Sequence, residues 1–175
     1  MKHYLTRFEE SVKNYWSRPA LGNYKGETFT FGEVATQCAK LHLFFENAGI
    51  SKGERMALCA KNTARWGMSF LAGNTYEAVM VPILADFHPD NVNSLVTHSW
   101  SSILFTDNDI WPKLSIEKMP SVKAVISTTD FALLYSADVQ VKEAFEKLEE
   151  NFAAKYPQGF SAENVSYPTD NDKDL

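Results

Sequence analysis

The chain has 175 residues, 45% of them apolar and 13% aromatic, which suffices for one compact domain with a buried core and argues against disorder except at the ends. The formal net charge of −5, from 17 basic and 22 acidic residues, excludes a basic surface for nucleic acid or an anionic bilayer. The sequence has no secretory signal and no apolar window of roughly 18 residues, so we expect a cytoplasmic protein without a transmembrane segment.

The first thirty residues predict a helix and then a hairpin. Four apolar residues recur at helical spacing before Arg18-Pro19 and predict an amphipathic helix that packs as a lid on the domain: Leu5, Phe8, Val12 and Tyr15. Two short extended segments follow between residues 20 and 30. Gly26 is suited to the positive φ angle of the hairpin turn that joins them.

The next helix carries both a start signal and a stop signal. Thr30 and Glu33 have the spacing of a capping box, in which each side chain bonds the backbone amide of the other residue. Gly49 is placed to take the left-handed position after the last turn. The sequence therefore predicts a helix from about residue 31 to residue 48.

Strands and helices alternate in the rest of the chain. Four segments have the length and apolar composition of strands buried in a sheet: 55–60, 78–83, 102–106 and 123–127. Helices are predicted at 64–77, from Pro89 onward, and where Val141, Phe145, Leu148 and Phe152 form one apolar face. Right-handed crossovers between parallel strands make the fold class α/β, with three layers and a mostly parallel sheet flanked by helices.

The composition also suggests a domain boundary. We place a single α/β domain at residues 1–157 and a polar, acidic tail at residues 158–175.

Four passages together resemble the AMP-forming acyl-CoA synthetases, which belong to the adenylate-forming superfamily. They are 18–21 with 28–34, 48–57, 61–66, and 76–82 with 89–99. Each passage alone describes a cap, a turn or a buried strand, and the likeness rests on their order and spacing. The opening helix and the passage that ends at His98-Ser99 are most like the long-chain fatty-acid CoA ligases. Glu54 and Trp100 depart from the family's pattern.

The resemblance implies that this chain is the N-terminal part of the large domain of an ATP-dependent long-chain fatty-acid CoA ligase. Such an enzyme converts a carboxylate, ATP and CoA to acyl-CoA, AMP and pyrophosphate through acyl-AMP. ATP, Mg²⁺ and CoA are the implied cofactors of the full-length enzyme. Its implied partners are the remainder of its own polypeptide and the fatty-acid substrate.

In this family the phosphate loop, the magnesium ligand and the catalytic Lys would follow the acidic segment 172–175. The resemblance therefore assigns no catalytic, cofactor-binding or metal-binding role to any residue of this chain, and the substrate-binding residues stay unknown. We expect the fragment alone to be inactive and to bind none of these cofactors.

Two groups of polar residues at strand exits have the spacing of cation ligands: Asp86, His88 and Asp90, and Asp107, Asn108 and Asp109. Polar residues also collect at strand exits because the chain turns through solvent there. We interpret both groups as loops rather than metal sites.

Other reactive or bulky side chains have structural interpretations. Trp66, Trp100 and Trp111 are candidates for an acyl pocket but more often fill cores. Cys38 and Cys59 are predicted to be reduced core thiols. The S-x-x-K pattern at 115–118 lacks its companion motifs, and His3, His42 and His98 are isolated.

A second hypothesis is a complete, non-enzymatic α/β module that binds a small molecule or another protein in a crevice at the carboxyl ends of its strands. The two hypotheses predict different surfaces. Part of a larger domain would leave an unpaired strand edge and an exposed apolar patch, through which the isolated piece would self-associate. A complete module would not.

Overall fold

The computed structural model describes residues 3–168. At its start, α1 (Tyr4–Asn14) precedes an antiparallel hairpin of β1 (Pro19–Gly22) and β2 (Thr28–Thr30), as predicted. The turn corrects one detail, because Lys25 and not Gly26 has the positive φ angle, at 53°. A Cβ at residue 26 would lie 3.1 Å from the Cβ of Asn23, so glycine leaves room for the side chain of Asn23.

Both signals of the second helix are confirmed in α2 (Phe31–Asn47). The amide of Glu33 donates to Thr30 Oγ1 at 3.2 Å, and the amide of Thr30 donates to Glu33 Oε2 at 2.7 Å. Gly49 has a φ angle of 70°.

The next helix, α3 (Ala64–Thr75), ends two residues before its predicted end. The reason is Glu77, whose φ angle of 64° turns the chain toward the next strand.

Within residues 3–168, the central sheet has five strands. They are β3 (Arg55–Cys59), β4 (Val79–Ile83), β5 (Ile103–Thr106), β6 (Ala124–Ser127) and β7 (Leu133–Ser136). Their order is β4-β3-β5-β6-β7, and the first four are mutually parallel, which confirms the predicted α/β class. The antiparallel β7 was not predicted.

The remaining helices are α4 (Pro89–His98), α5 (Val139–Glu146) and α6 (Leu148–Lys155). The prediction of one continuous last helix was wrong, because the chain breaks at Lys147 between α5 and α6. The break allows Phe145 to pack edge-on against Phe44, with ring centroids 6.0 Å apart, while Phe152 turns toward Tyr156 at 5.0 Å.

Two apolar cores lie on opposite faces of the sheet, because alternate residues of a strand point to opposite sides. On one face, α2, α3, α5 and α6 cover Met56, Leu58 and Phe105. On the other, α4 and an irregular stretch with two 3-10 turns cover Ala57, Cys59 and Leu104. The three-layer prediction is confirmed, although one outer layer is only partly helical.

Residues 158–168 pack against the domain, which their polar composition did not indicate. Val165 is buried in a small cluster with Val12 and Ala35. The ring of Tyr167 stacks on Phe8 at 5.4 Å and 7°. The boundary placed at residue 157 stays a prediction, and the acidic segment 172–175 lies outside the described residues.

Among residues 3–168, the sheet has β7 at one edge and β4 at the other, and β4 pairs there with β3 alone. Val79 is 50% exposed, and Leu84 and Phe87, just beyond the strand, are 67% and 42% exposed. The amide of Val79 donates inward to Glu54 O at 2.9 Å, so the alternation of the strand turns Pro82, which has no amide hydrogen, to the outer edge. None of the helices within residues 3–168 is long and apolar enough to span a bilayer.

Candidate functional site

A polar crevice of about 410 Å³ opens at the carboxyl ends of the parallel strands. The chain runs from β3 to β4 on one side and then crosses to β5 on the other, so β3 and β5 flank the point where the strand order reverses. Open α/β sheets bind ligands at such a point. The side chains that line the crevice come from four loops and the first turn of α3: Asn23, Lys61, Thr63, Arg65, Asp107, Asn108, Asp109, Thr128 and Thr129.

Asp107 forms the floor of the crevice and joins the ends of three strands. It is only 8% exposed. Its Oδ2 accepts from the amide of Lys61 at 2.8 Å, and its Oδ1 accepts from the hydroxyl of Thr128. Thr106 adds a bond from its hydroxyl to Cys59 O at 2.8 Å. These bonds fix the exits of β3, β5 and β6 relative to one another.

The rim carries both cations of the crevice in ion pairs. Lys61 Nζ lies 2.8 Å from Asp109 Oδ2, which raises the pKa of the lysine and lowers that of the aspartate. Arg65 forms two hydrogen bonds with Glu27, one of them at 3.0 Å, and the pKa of Glu27 is lowered as a result.

The helix α3 begins at the edge of the crevice. Thr63 caps it by accepting from the amide of Trp66 at 3.2 Å, and Asn23 accepts from the amide of Ala64 at 2.8 Å. These side chains therefore already bond the amides of Ala64 and Trp66, and those two amides are not available to a ligand. The crevice can orient a polar molecule by hydrogen bonds.

The two groups with the spacing of cation ligands do not form metal sites in the part of the chain that the structure describes. No cluster of three or more His, Cys, Asp or Glu residues there is placed to hold a metal. Asp90 instead pairs with Lys118 at 2.7 Å, and His88 Nδ1 lies 3.8 Å from Asp90 Oδ2. The two carboxylate oxygens of Asp107 accept hydrogen bonds from the Lys61 amide and the Thr128 hydroxyl.

The three tryptophans considered for an acyl pocket do not meet in one pocket. Trp66 stacks on Phe70 at 5.4 Å and packs against the core of the helical face. Trp111 packs against the core of the opposite face, and Trp100 is 73% exposed at a φ angle of 53°. The acyl-pocket interpretation has no support from their positions.

The cysteines are buried, and His42 is half-buried. Both thiols are free and buried, and burial raises the pKa of Cys38 to about 12 and that of Cys59 to about 11. They are protonated at neutral pH, as the prediction of unreactive core thiols requires. His42 is a satisfied helix residue whose Nε2 lies 3.0 Å from Ala72 O.

The sequence pointed to Asp107, Asn108 and Asp109 but missed the rest of the crevice. Asn23, Lys61 and Thr128 are far apart in the chain, and only the observed strand order brings them together. Their one sequence signal is position, because Lys61 and Thr128 each follow a predicted buried strand.

Comparison with known proteins places this geometry in context. The model of a protein family described as AMP-binding enzyme matches residues 8–172. Surfactin synthase subunit 2 of Bacillus subtilis (strain 168) is 26% identical over 103 residues, which are 59% of this chain and 3% of that protein. Subunit 1 of the same synthase is 25% identical, with the same coverage.

Solved structures share the fold. One is the anthranilate CoA ligase AuaEII in complex with anthranoyl-AMP, with a TM-score of 0.65 and 17% identity over 70% of this chain and 24% of that chain. Another is the Klebsiella oxytoca NpsA N-terminal subdomain in complex with 3-hydroxybenzoyl-AMSN, with a TM-score of 0.62 and 17% identity over 97% of this chain and 35% of that chain. The chain thus spans a small part of the length of the proteins it matches.

Proposed function

The chain belongs to the AMP-binding enzyme family, and from that membership we propose that it forms the N-terminal part of an enzyme that activates a carboxylic acid as an acyl adenylate. The observation that carries the proposal is the family match over residues 8–172. In the proposed reaction a carboxylate oxygen attacks the α-phosphorus of ATP, the bond to the β-phosphate bridge breaks, and pyrophosphate leaves.

The residues of the crevice do not fit a nucleoside triphosphate and its magnesium ion. A triphosphate needs unpaired cations or a cradle of backbone amides. Lys61 and Arg65 are paired with carboxylates, and both oxygens of Asp107 accept bonds from the protein. The chain also lacks a G-x-x-x-x-G-K-[ST] loop. We therefore propose that the nucleotide site lies elsewhere in the complete protein and that this chain alone is inactive.

The role proposed for this chain is a scaffold. Its β4 edge exposes Val79, Leu84 and Phe87, and such a surface suits contact with further polypeptide. Pro82 at that edge disfavours the addition of another strand, so the contact we propose is made by side chains. We propose the cytoplasm as its location.

For the acid itself, we propose a long-chain fatty acid, with CoA as the acceptor of the acyl group. Its support is the resemblance of the opening helix and of the passage that ends at His98-Ser99. The names of the similar proteins concern surfactin, anthranilate and, in a ligase of Pectobacterium brasiliense, coronafacic acid. Amino acids and aromatic acids are therefore the alternative substrates to compare with fatty acids.

The test is acid-dependent exchange of labelled pyrophosphate into ATP by the full-length protein that contains this chain. The panel includes palmitate, oleate, anthranilate, benzoate and the amino acids, with the 175-residue chain assayed beside it. We expect exchange by the full-length protein with a fatty acid and none by the chain. Exchange with only an aromatic or amino acid would contradict the proposed fatty-acid substrate. No exchange with any acid would contradict the proposed reaction.

A further inference from the structure

A second pocket lies on the helical face of the sheet, between α2 and the C-terminal segment 158–168. Its volume is about 100 Å³, and its walls include Ala39 and His42 of α2 and Tyr167 of the segment. One water molecule needs roughly 10–15 Å³ of such space. The pocket is therefore large enough for several.

The hydroxyl of Tyr167 is buried and has no hydrogen-bond partner within residues 3–168. Burial raises the pKa of Tyr167, so the group is a protonated donor. The residue is anchored at two points, because its ring stacks on Phe8 and its amide donates to Glu9 Oε2 at 2.7 Å. Buried hydroxyls in proteins are nearly always bonded to protein or to ordered water.

His42 supplies a second polar group to the walls of the pocket. Its Nε2 lies 3.0 Å from Ala72 O and 2.9 Å from Thr75 Oγ1. The hydroxyl of Thr75 already donates to Leu71 O at 2.7 Å, so Nε2 carries the hydrogen. Burial lowers the pKa of His42 to about 4, which keeps the ring neutral at pH 7 and leaves Nδ1 as an acceptor.

We propose that this pocket is a hydration site, in which bound water accepts a hydrogen bond from the Tyr167 hydroxyl and donates one to His42 Nδ1. The water links the C-terminal segment to α2 and helps to hold α1 in place through Phe8 and Glu9. The inference does not depend on the proposed enzymatic function.

The direction in which one substitution shifts the midpoint of urea unfolding distinguishes a hydrated pocket from a dry one. Tyr167→Phe removes the hydroxyl and leaves the ring. If water bonds the hydroxyl, the variant of the whole chain should have a lower midpoint of urea unfolding and a folding equilibrium constant reduced several-fold. If the pocket is dry, the variant loses an unsatisfied group and the midpoint should rise. Tyr135→Phe, on the other face, is the control; a Tyr167→Phe midpoint that is unchanged or raised relative to it overturns the proposal.

A filling substitution tests whether the water is needed. Ala39→Leu adds volume to the pocket wall, and we expect it to lower the midpoint because it displaces water from Tyr167. In the Tyr167→Phe background the same change should lower the midpoint less. Equal losses in both backgrounds would indicate overpacking alone and contradict the proposal, as would a crystal structure in which protein atoms fill the pocket.

Discussion

The helical face of the sheet and its carboxyl edge are held together by different forces. On the helical face, Phe45 is fully buried against Phe44, Tyr76 and Phe105, with ring centroids 5.9, 5.1 and 6.3 Å apart. At the carboxyl edge, Asp107 holds three strand ends by hydrogen bonds. The first region depends on the burial of apolar area and the second on a few directed contacts.

This difference separates stability from function within one sheet. The ring cluster around Phe45 is closed, and its rings have little left to offer a ligand. The carboxyl edge is open and polar, and its geometry rests on few bonds, so small changes there should alter the site before they unfold the domain. The following predictions compare the two regions.

The largest effect is expected in the apolar core. Phe45→Ala should reduce the free energy of unfolding by about 3–5 kcal/mol, because it removes buried area and leaves a cavity among packed rings. Urea unfolding of the chain measures it. Phe87→Ala is the matched control, since Phe87 is 42% exposed. Similar losses in the two variants would contradict the view that this face carries most of the stability.

The next effect depends on pH and also arises on the helical face. Burial lowers the pKa of His42 to about 4, below its value in an unfolded chain. Between pH 6.5 and 4 the unfolded chain therefore binds a proton that the folded chain excludes. Stability contributed by neutral His42 is complete above pH 6.5 and is lost as the pH falls, by up to about 3 kcal/mol.

His42→Gln should flatten this part of the stability profile relative to the parent chain. Unfolding free energies measured at intervals from pH 7 to pH 4 test the prediction. His88→Gln is the control, because the side chain of His88 is 72% exposed. A stability profile that keeps its slope in His42→Gln and loses it in His88→Gln would contradict the assignment of this titration to His42.

The helical face was the more predictable of the two regions because its signals are local. The capping box, the stripe of α2 and Gly49 all lie within one segment of the chain. Two local failures have physical causes. The apolar period runs on through Lys147, so nothing in it marks the break between α5 and α6. The short strand β7 follows a turn with Phe131 at a φ angle of 61°, and no hairpin dipeptide announces it.

The carboxyl edge could be predicted only in outline, because its residues meet through tertiary structure. Parallel strands predict a crevice at their carboxyl ends, but not which loops reach it. Asp107 was considered as a cation ligand from its spacing to Asp109. Its actual role depends on the amide of Lys61 and the hydroxyl of Thr128, which sequence periodicity does not connect to it.

A smaller effect is expected from the floor of the crevice. Asp107→Asn keeps one acceptor oxygen but turns an amide donor toward either the Lys61 amide or the Thr128 hydroxyl. The loss of one buried, charge-assisted bond should cost about 2 kcal/mol. Asp109→Asn, whose ion pair with Lys61 is exposed, is the matched control for removal of a charge. Equal unfolding free energies for the two variants would mean that the floor does not hold the strand ends.

The smallest effect should come from the start of α2 and should stay there. Thr30→Ala removes the acceptor of the Glu33 amide and should lower the free energy of unfolding by about 1 kcal/mol. Thr36→Ala, in the interior of the same helix, controls for loss of a threonine side chain. Hydrogen exchange provides a second measurement, because the cap acts on the first turn and not on the carboxyl edge. Faster exchange at Glu33 with unchanged exchange at Lys61 is expected; equal acceleration at both amides would mean that the two regions open as one unit.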